Sequence, residues 1–235
     1  MDRKQQGFIV ACWLVGLTLM GSIGVLTAAA PAARASEGVL YERLQQWPTW
    51  NLPAPLARPG RADLLYPEWC AGHWQVRSSD GSSYEVRFPS TPAGVVGDRA
   101  FNAAAVGRAV LGKGLLGVAN DPANPNRQIA RLRNADGQEL ELESTVVGRR
   151  SERPEPTVLL VDELALQVLH CGGAPLVSRV ETLSRFERLS PDRIQVEQWQ
   201  ATYASPALGL AAPARRNDRF ELSLSRSGQG ADRAS

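Results

Sequence analysis

Lysine is almost absent from this 235-residue chain: Lys4 and Lys113 stand alone among 26 basic residues, the rest being arginine. Histidine, methionine and cysteine are nearly as scarce, at 2, 2 and 3 residues. Each shortage excludes something. His73 and His170 hold no metal-ligand spacing with the cysteines, so no zinc site is expected. His170 and Cys171 are neighbours on an extended segment and point to opposite faces, which rules out a thiolate–imidazole pair. The formal net charge is only +2, and Asp2, Arg3, Lys4 and Arg34 account for it. The remainder is neutral, without the basic surplus of a nucleic-acid binder. No P-loop, G-x-S-x-G, G-x-G-x-x-G or H-E-x-x-H is present, so no catalytic residues and no cofactor are expected. The absence of any repeat excludes coiled-coil and collagen architectures.

What is present is an apolar leader and a chain balanced for folding, 43% hydrophobic and 21% charged. Gly7 to Ala30 carries no charge, Pro31 breaks any helix, and Ala33-Arg34-Ala35 offers small residues at the positions a signal peptidase reads. Cleavage is expected between Ala35 and Ser36, an uncleaved membrane anchor being the alternative. Cys12 departs with residues 1–35, leaving Cys70 and Cys171. In an exported chain such a pair forms either a disulfide, closing a loop of about 100 residues worth roughly 4–5 kcal/mol, or two buried free thiols.

Residues 36–63 read as a short amphipathic helix followed by an arm that Pro48, Pro53, Pro55 and Pro59 keep extended. Trp47, Trp50 and Leu52 are expected to anchor the arm; a Pro-rich ligand for a partner is the alternative. Residues 64–227 read mainly as strands. Tyr84, Val86 and Phe88 alternate with polar neighbours, as do Leu140 and Leu142, Val180 to Phe186, and Phe220, Leu222 and Leu224. Asp80-Gly81 and Asp136-Gly137 mark turns. Ile194 and Val196 share one parity but Trp199, Ala201 and Tyr203 the other, which predicts a bulge near Gln198. Phe101 to Leu111 suits a short helix lying across the sheet, and 161–169 fits a strand or a helix face, read here as strand. The expected fold is an antiparallel barrel of about eight to ten strands with one or two short helices, after an N-terminal signal helix. Residues 228–235 read as a disordered tail. Arg127, Arg131 and Arg133 lie on one strand face, where they form either an anion patch or simply part of an arginine-rich coding bias balanced by acids.

Gly72-His73-Trp74 opens the first strand and resembles the G-x-W of lipocalins and related calycin barrels. In such barrels Gly allows a tight entry and Trp plugs one end, with a late Arg over it. Arg226 shares the inward parity of Phe220, Leu222 and Leu224 and is the candidate for that role. A longer set of segments is similar to an uncharacterised family of exported proteins from cyanobacteria and plant chloroplasts. They are Tyr66-Pro67-Glu68-Trp69, Arg99-Ala100-Phe101-Asn102, Glu181-Thr182, and the run Asp121-Pro122-Ala123-Asn124-Pro125-Asn126-Arg127-Gln128. Asp121, Asn124, Pro125, Asn126 and Arg127 read as turn formers at fixed offsets. The resemblance implies a lipocalin-like barrel in the thylakoid lumen or periplasm, with no established activity. Cys70 stands where similar sequences carry an aromatic or aliphatic residue, so the resemblance lends the disulfide no support.

Three functions follow as expectations. The first is a barrel that binds a small apolar molecule such as a pigment, lipid or isoprenoid. The second is an assembly protein docking on a photosynthetic membrane complex through the arm and the Asn-Pro-Asn-Arg loop. The third is a barrel isomerase or cyclase. Contact with a membrane is expected only through an uncleaved N-terminal segment.

Overall fold

The computed structural model describes residues 38–227. The signal helix, its cleavage site and the tail 228–235 lie outside the described residues. The architecture is mainly β. Nine strands form one antiparallel sheet: β1 (Gly72–Ser78), β2 (Ser83–Phe88), β3 (Leu115–Asp121), β4 (Asn124–Arg133), β5 (Glu139–Glu155), β6 (Val158–His170), β7 (Leu176–Ser190), β8 (Arg193–Tyr203) and β9 (Arg216–Arg226). The spatial order is β2-β1-β9-β8-β7-β6-β5-β4-β3. Neighbours in the chain are thus neighbours in space, and the last strand returns to pair with the first. One seam, between β2 and β3, carries no ladder. The sheet curls toward closure without reaching it, and helix α2 (Arg99–Leu111) packs against both free edges.

Local chemistry explains these choices. Gly81 and Gly137 take positive φ in the hairpin turns β1–β2 and β4–β5. α2 begins at Asp98, whose side chain accepts from the Phe101 amide at 3.2 Å, satisfying one of the free donors of the first turn. Segment 161–169 lies within β6, whose neighbours β5 and β7 pair with it along its length. The two-residue turn between β3 and β4 is Pro122-Ala123, so Asn124 to Arg127 belong to a strand rather than to the turn expected for them.

The expected bulge at Gln198 is absent, because β8 keeps continuous register with β7 and β9 through that residue. The change of parity has another cause: both faces of the sheet are buried there. Ile194 and Val196 pack inward around Trp74. Ala201 and Tyr203 face outward and are covered by α1 (Val39–Gln45) and the arm, in a cluster with Leu40, Trp50, Leu52, Leu160 and Leu183. Leu40, Trp50 and Leu52 are almost fully buried, each contributing about 1.5–3 kcal/mol. Asn51–Leu52 pairs with Ala212–Pro213, and Ala57 pairs with Arg149 where β4 has ended. The arm crosses β5 at Gly148, where a Cβ would approach that of Leu56 to 3.0 Å. No helix among the described residues is long and apolar enough to cross a membrane.

Candidate binding cavity

The concave side of the sheet holds a cavity of about 260 Å³ that is partly open to solvent. Its wall is mainly apolar, from Val76, Val86, Phe186, Val196, Phe220 and Leu222 among others. Alternation delivers these side chains, since every second residue of each strand points inward. α2 closes the seam and contributes Arg99, Asn102 and Val106 to the same wall.

Glu163 is the centre of the charged part of the wall. The Glu163 carboxylate accepts from Arg99 Nη2 at 3.0 Å and Nη1 at 3.4 Å, and from Arg149 Nε at 2.6 Å. Arg99 Nε donates to Asp63 at 2.9 Å. Arg149 also donates to Asn126 Oδ1 at 2.5 Å and to the Ala62 carbonyl at 3.0 Å. Asn126 is 1% exposed and donates to the carbonyls of Gly60 and Ala62. The network therefore ties the arm, α2, β4, β5 and β6 together beside the cavity. Burial pushes the Glu163 pKa up, but the two guanidiniums outweigh it and hold the carboxyl below its ordinary value. Burial, then the charge of Glu163, raises the Tyr66 phenol; burial, then Asp80, raises that of Tyr84. Both line the cavity as neutral hydroxyls.

Three of the segments that carried the resemblance meet here, through Tyr66, Arg99, Asn102, Asn126 and Gln128. Glu163 and Arg149 were missed. The readable signal was two adjacent charges, Asp162 and Glu163, inside an otherwise apolar stretch.

The other expected residues lie elsewhere. Trp74 is fully buried in an apolar cluster with Cys70, Val76, Val86 and Phe88, outside the cavity's lining, its Nε1 donating to the Cys70 carbonyl at 2.7 Å. The guanidinium carbon of Arg226 lies 4.4 Å from the Trp74 ring centroid, while Nη1 donates to the Ala71 carbonyl at 2.9 Å. Gly72 precedes them with φ +112°, and a Cβ there would stand 2.7 Å from Arg226 Nη1. Asp121 and Asn124 accept from the amides of Ala123 and Asn126, and Pro125 accepts from Gln128. Arg127 pairs with Asp121 and Glu143, and Arg133 with Glu139. The supposed anion patch is thus partly neutralised by acids beside it.

The disulfide is corrected: Cys70 and Cys171 are both free. Cys70 belongs to the cluster around Trp74, whereas Cys171 packs with Leu115, Leu132 and Leu169 in another. Burial pushes the Cys70 thiol up to about 12, leaving it unreactive. One cluster escaped the sequence reading: Glu141, Glu143 and His170 bring candidate ligand atoms within 4.8 Å of one another. Glu143 already pairs with His170 at 3.0 Å and Arg127 at 3.1 Å, and the face is largely exposed.

Residues 78–222 match the family described as Domain of unknown function (DUF6816). The chain belongs to that family. No curated protein and no solved structure matches it. The DUF6816 span contains Arg99, Asn126, Arg149 and Glu163, and leaves out Gly72, Trp74 and Arg226.

Proposed function

We propose that this DUF6816 protein is an exported binding protein, working in the thylakoid lumen or periplasm, whose lipocalin-like interior holds one small, mainly apolar molecule. The observation that carries the reading is the cavity of about 260 Å³, apolar along most of its wall with a few polar groups set into it. Small-molecule sites have this character, with a few placed polar groups that fix orientation. The volume falls just under the usual range of roughly 300–1,000 Å³. It favours a compact isoprenoid or short-chain lipid over an extended pigment. Proton-transfer chemistry is less well supported, because Glu163 is held ionised by two guanidiniums and is a weak base.

Mass spectrometry of the extracted, natively purified protein tests this, with Ala165→Phe as the comparison. Ala165 lines the cavity and is 1% exposed. The variant is expected to lose the bound molecule while unfolding at the same temperature or higher. Equal ligand content in both proteins, or none in either, overturns the reading.

Docking on a partner is the second reading. Asn126 is buried within the fold, whereas the arm buries Trp50 and Leu52 and leaves Pro53, Pro55 and Arg58 exposed. The exposure of Leu208 and Leu210, 71% and 79%, favours this reading. Their loop is pinned by buried Arg179, which donates to the carbonyls of Ala204, Gly209 and Leu210.

A further inference from the structure

The charges in and behind the cavity's wall cancel. Arg99 and Glu163 are the charged side chains in its wall. Behind them Arg149 rests on Glu163 and Asp63 on Arg99, so two cations face two anions at 2.6–3.0 Å. Every other polar group in the wall is a hydroxyl or an amide, among them Tyr66, Ser144, Ser184 and Gln198.

Resting on the binding function proposed above, we infer that the cavity selects an uncharged ligand, a compact apolar molecule whose one polar group is a hydroxyl or carbonyl seated beside Glu163 and Tyr66. A carboxylate guest would leave water for a place where both guanidiniums are already engaged, and it would stand next to a like charge. An ammonium guest fares no better: Glu163 already accepts from Arg99 and Arg149, and both repel a third cation. A hydroxyl or carbonyl needs only hydrogen bonds, and these the phenol, serine hydroxyls and amide can exchange. Glu163 sets the selection, because it is the anion that cancels Arg149 and shares Arg99 with Asp63. Removing its charge while keeping its shape leaves the site with a net positive charge.

Calorimetric titration of the full chain with three ring-matched probes tests the inference: 2-naphthalenemethanol, 2-naphthoate and 2-naphthylmethylammonium. The alcohol is expected to bind the wild type at least about tenfold more tightly than either ion. Glu163→Gln is expected to reverse the order of alcohol and naphthoate. The double variant Glu163→Gln/Arg149→Gln restores neutrality and is expected to restore preference for the alcohol, which separates charge from shape and covers a single variant that fails to fold. Naphthoate or the ammonium binding the wild type as tightly as the alcohol overturns the inference but leaves the binding function standing. A Glu163→Gln protein that folds and still prefers the alcohol overturns it too. Binding of none of the three, with Ala165→Phe indistinguishable from wild type, overturns both.

Discussion

Gly72 is constrained twice, by a φ of +112° and by Arg226 Nη1 standing 2.7 Å from where a Cβ would be. Gly72→Ala is expected to destabilise the protein by about 1–3 kcal/mol, because the side chain strains the backbone and displaces the guanidinium from Trp74. Arg226→Ala loses the stack and the bond to the Ala71 carbonyl, about 1 kcal/mol at this partly exposed position. Arg226→Lys should lose nearly as much, since an ammonium has no planar face to stack. Gly72→Ala and Arg226→Ala act on one contact, so urea unfolding of the variant carrying both should show clearly less than the summed loss. Strict additivity would show that the two residues are independent. This group was legible in sequence because its evidence is local: a tripeptide and the parity of two strands. Asn126 was not. Its type suggested a turn, while its actual partners are carbonyls 64 and 66 residues earlier. Glu163 lies between these extremes, since a charge in an apolar strand signals a partner, but only the fold brings Arg99 and Arg149 to it.

At the scale of elements, α2 substitutes for a missing strand pairing. On the free edge of β2, the Arg87 amide donates to Asn102 Oδ1 at 2.8 Å, and its carbonyl accepts from Asn102 Nδ2 at 3.1 Å and from the Asp98 amide at 3.0 Å. One side-chain amide thereby satisfies the donor and shares the acceptor that an adjoining strand would have taken. Asn102→Ala is expected to destabilise by about 2 kcal/mol and to speed hydrogen exchange at the Arg87 amide. Asn102→Asp keeps the acceptor and loses the donor, so it should fall between. Unchanged exchange at Arg87 would contradict this role for α2. The helix itself was readable from its alanines and from Gly112 at its end; its function as an edge cover was not, because strand order is invisible to periodicity. The supposed bulge at Gln198 fails for a related reason. Alternation reports which face is buried, and in β8 the arm buries the outer face as well.

Across the whole molecule, β6 is buried on both faces, and its adjacent acids experience opposite environments. Glu163 points into the cavity among cations, whereas Asp162 points outward beneath the arm, beside Glu181. There Arg43 holds Glu181 through two bonds of 2.8 Å, and the Tyr203 hydroxyl also donates to Glu181. Burial, then the negative charge of Glu181, pushes the Asp162 pKa well above its ordinary value, so Asp162 retains a proton. The two linkages have opposite signs. The folded pKa of Glu163 is depressed, so its contribution is present above the unfolded value near about 4.3 and is lost as pH falls through the folded value. The folded pKa of Asp162 is raised, so its contribution is complete below about 3.9 and is lost as pH rises through the folded value. Asp162→Asn, neutral and of the same shape, is expected to raise the unfolding midpoint by a few degrees at neutral pH, with the gain growing as pH rises above about 4. Glu163→Gln leaves two arginines facing Asp63 alone and is expected to destabilise by about 3 kcal/mol at neutral pH, with the deficit shrinking in acid. Urea unfolding from about pH 3 to about pH 9 reads both slopes. If Asp162→Asn destabilises at neutral pH, or its effect is independent of pH, then Asp162 is ionised in the native protein, and the balance of charge beneath the arm must be assigned anew.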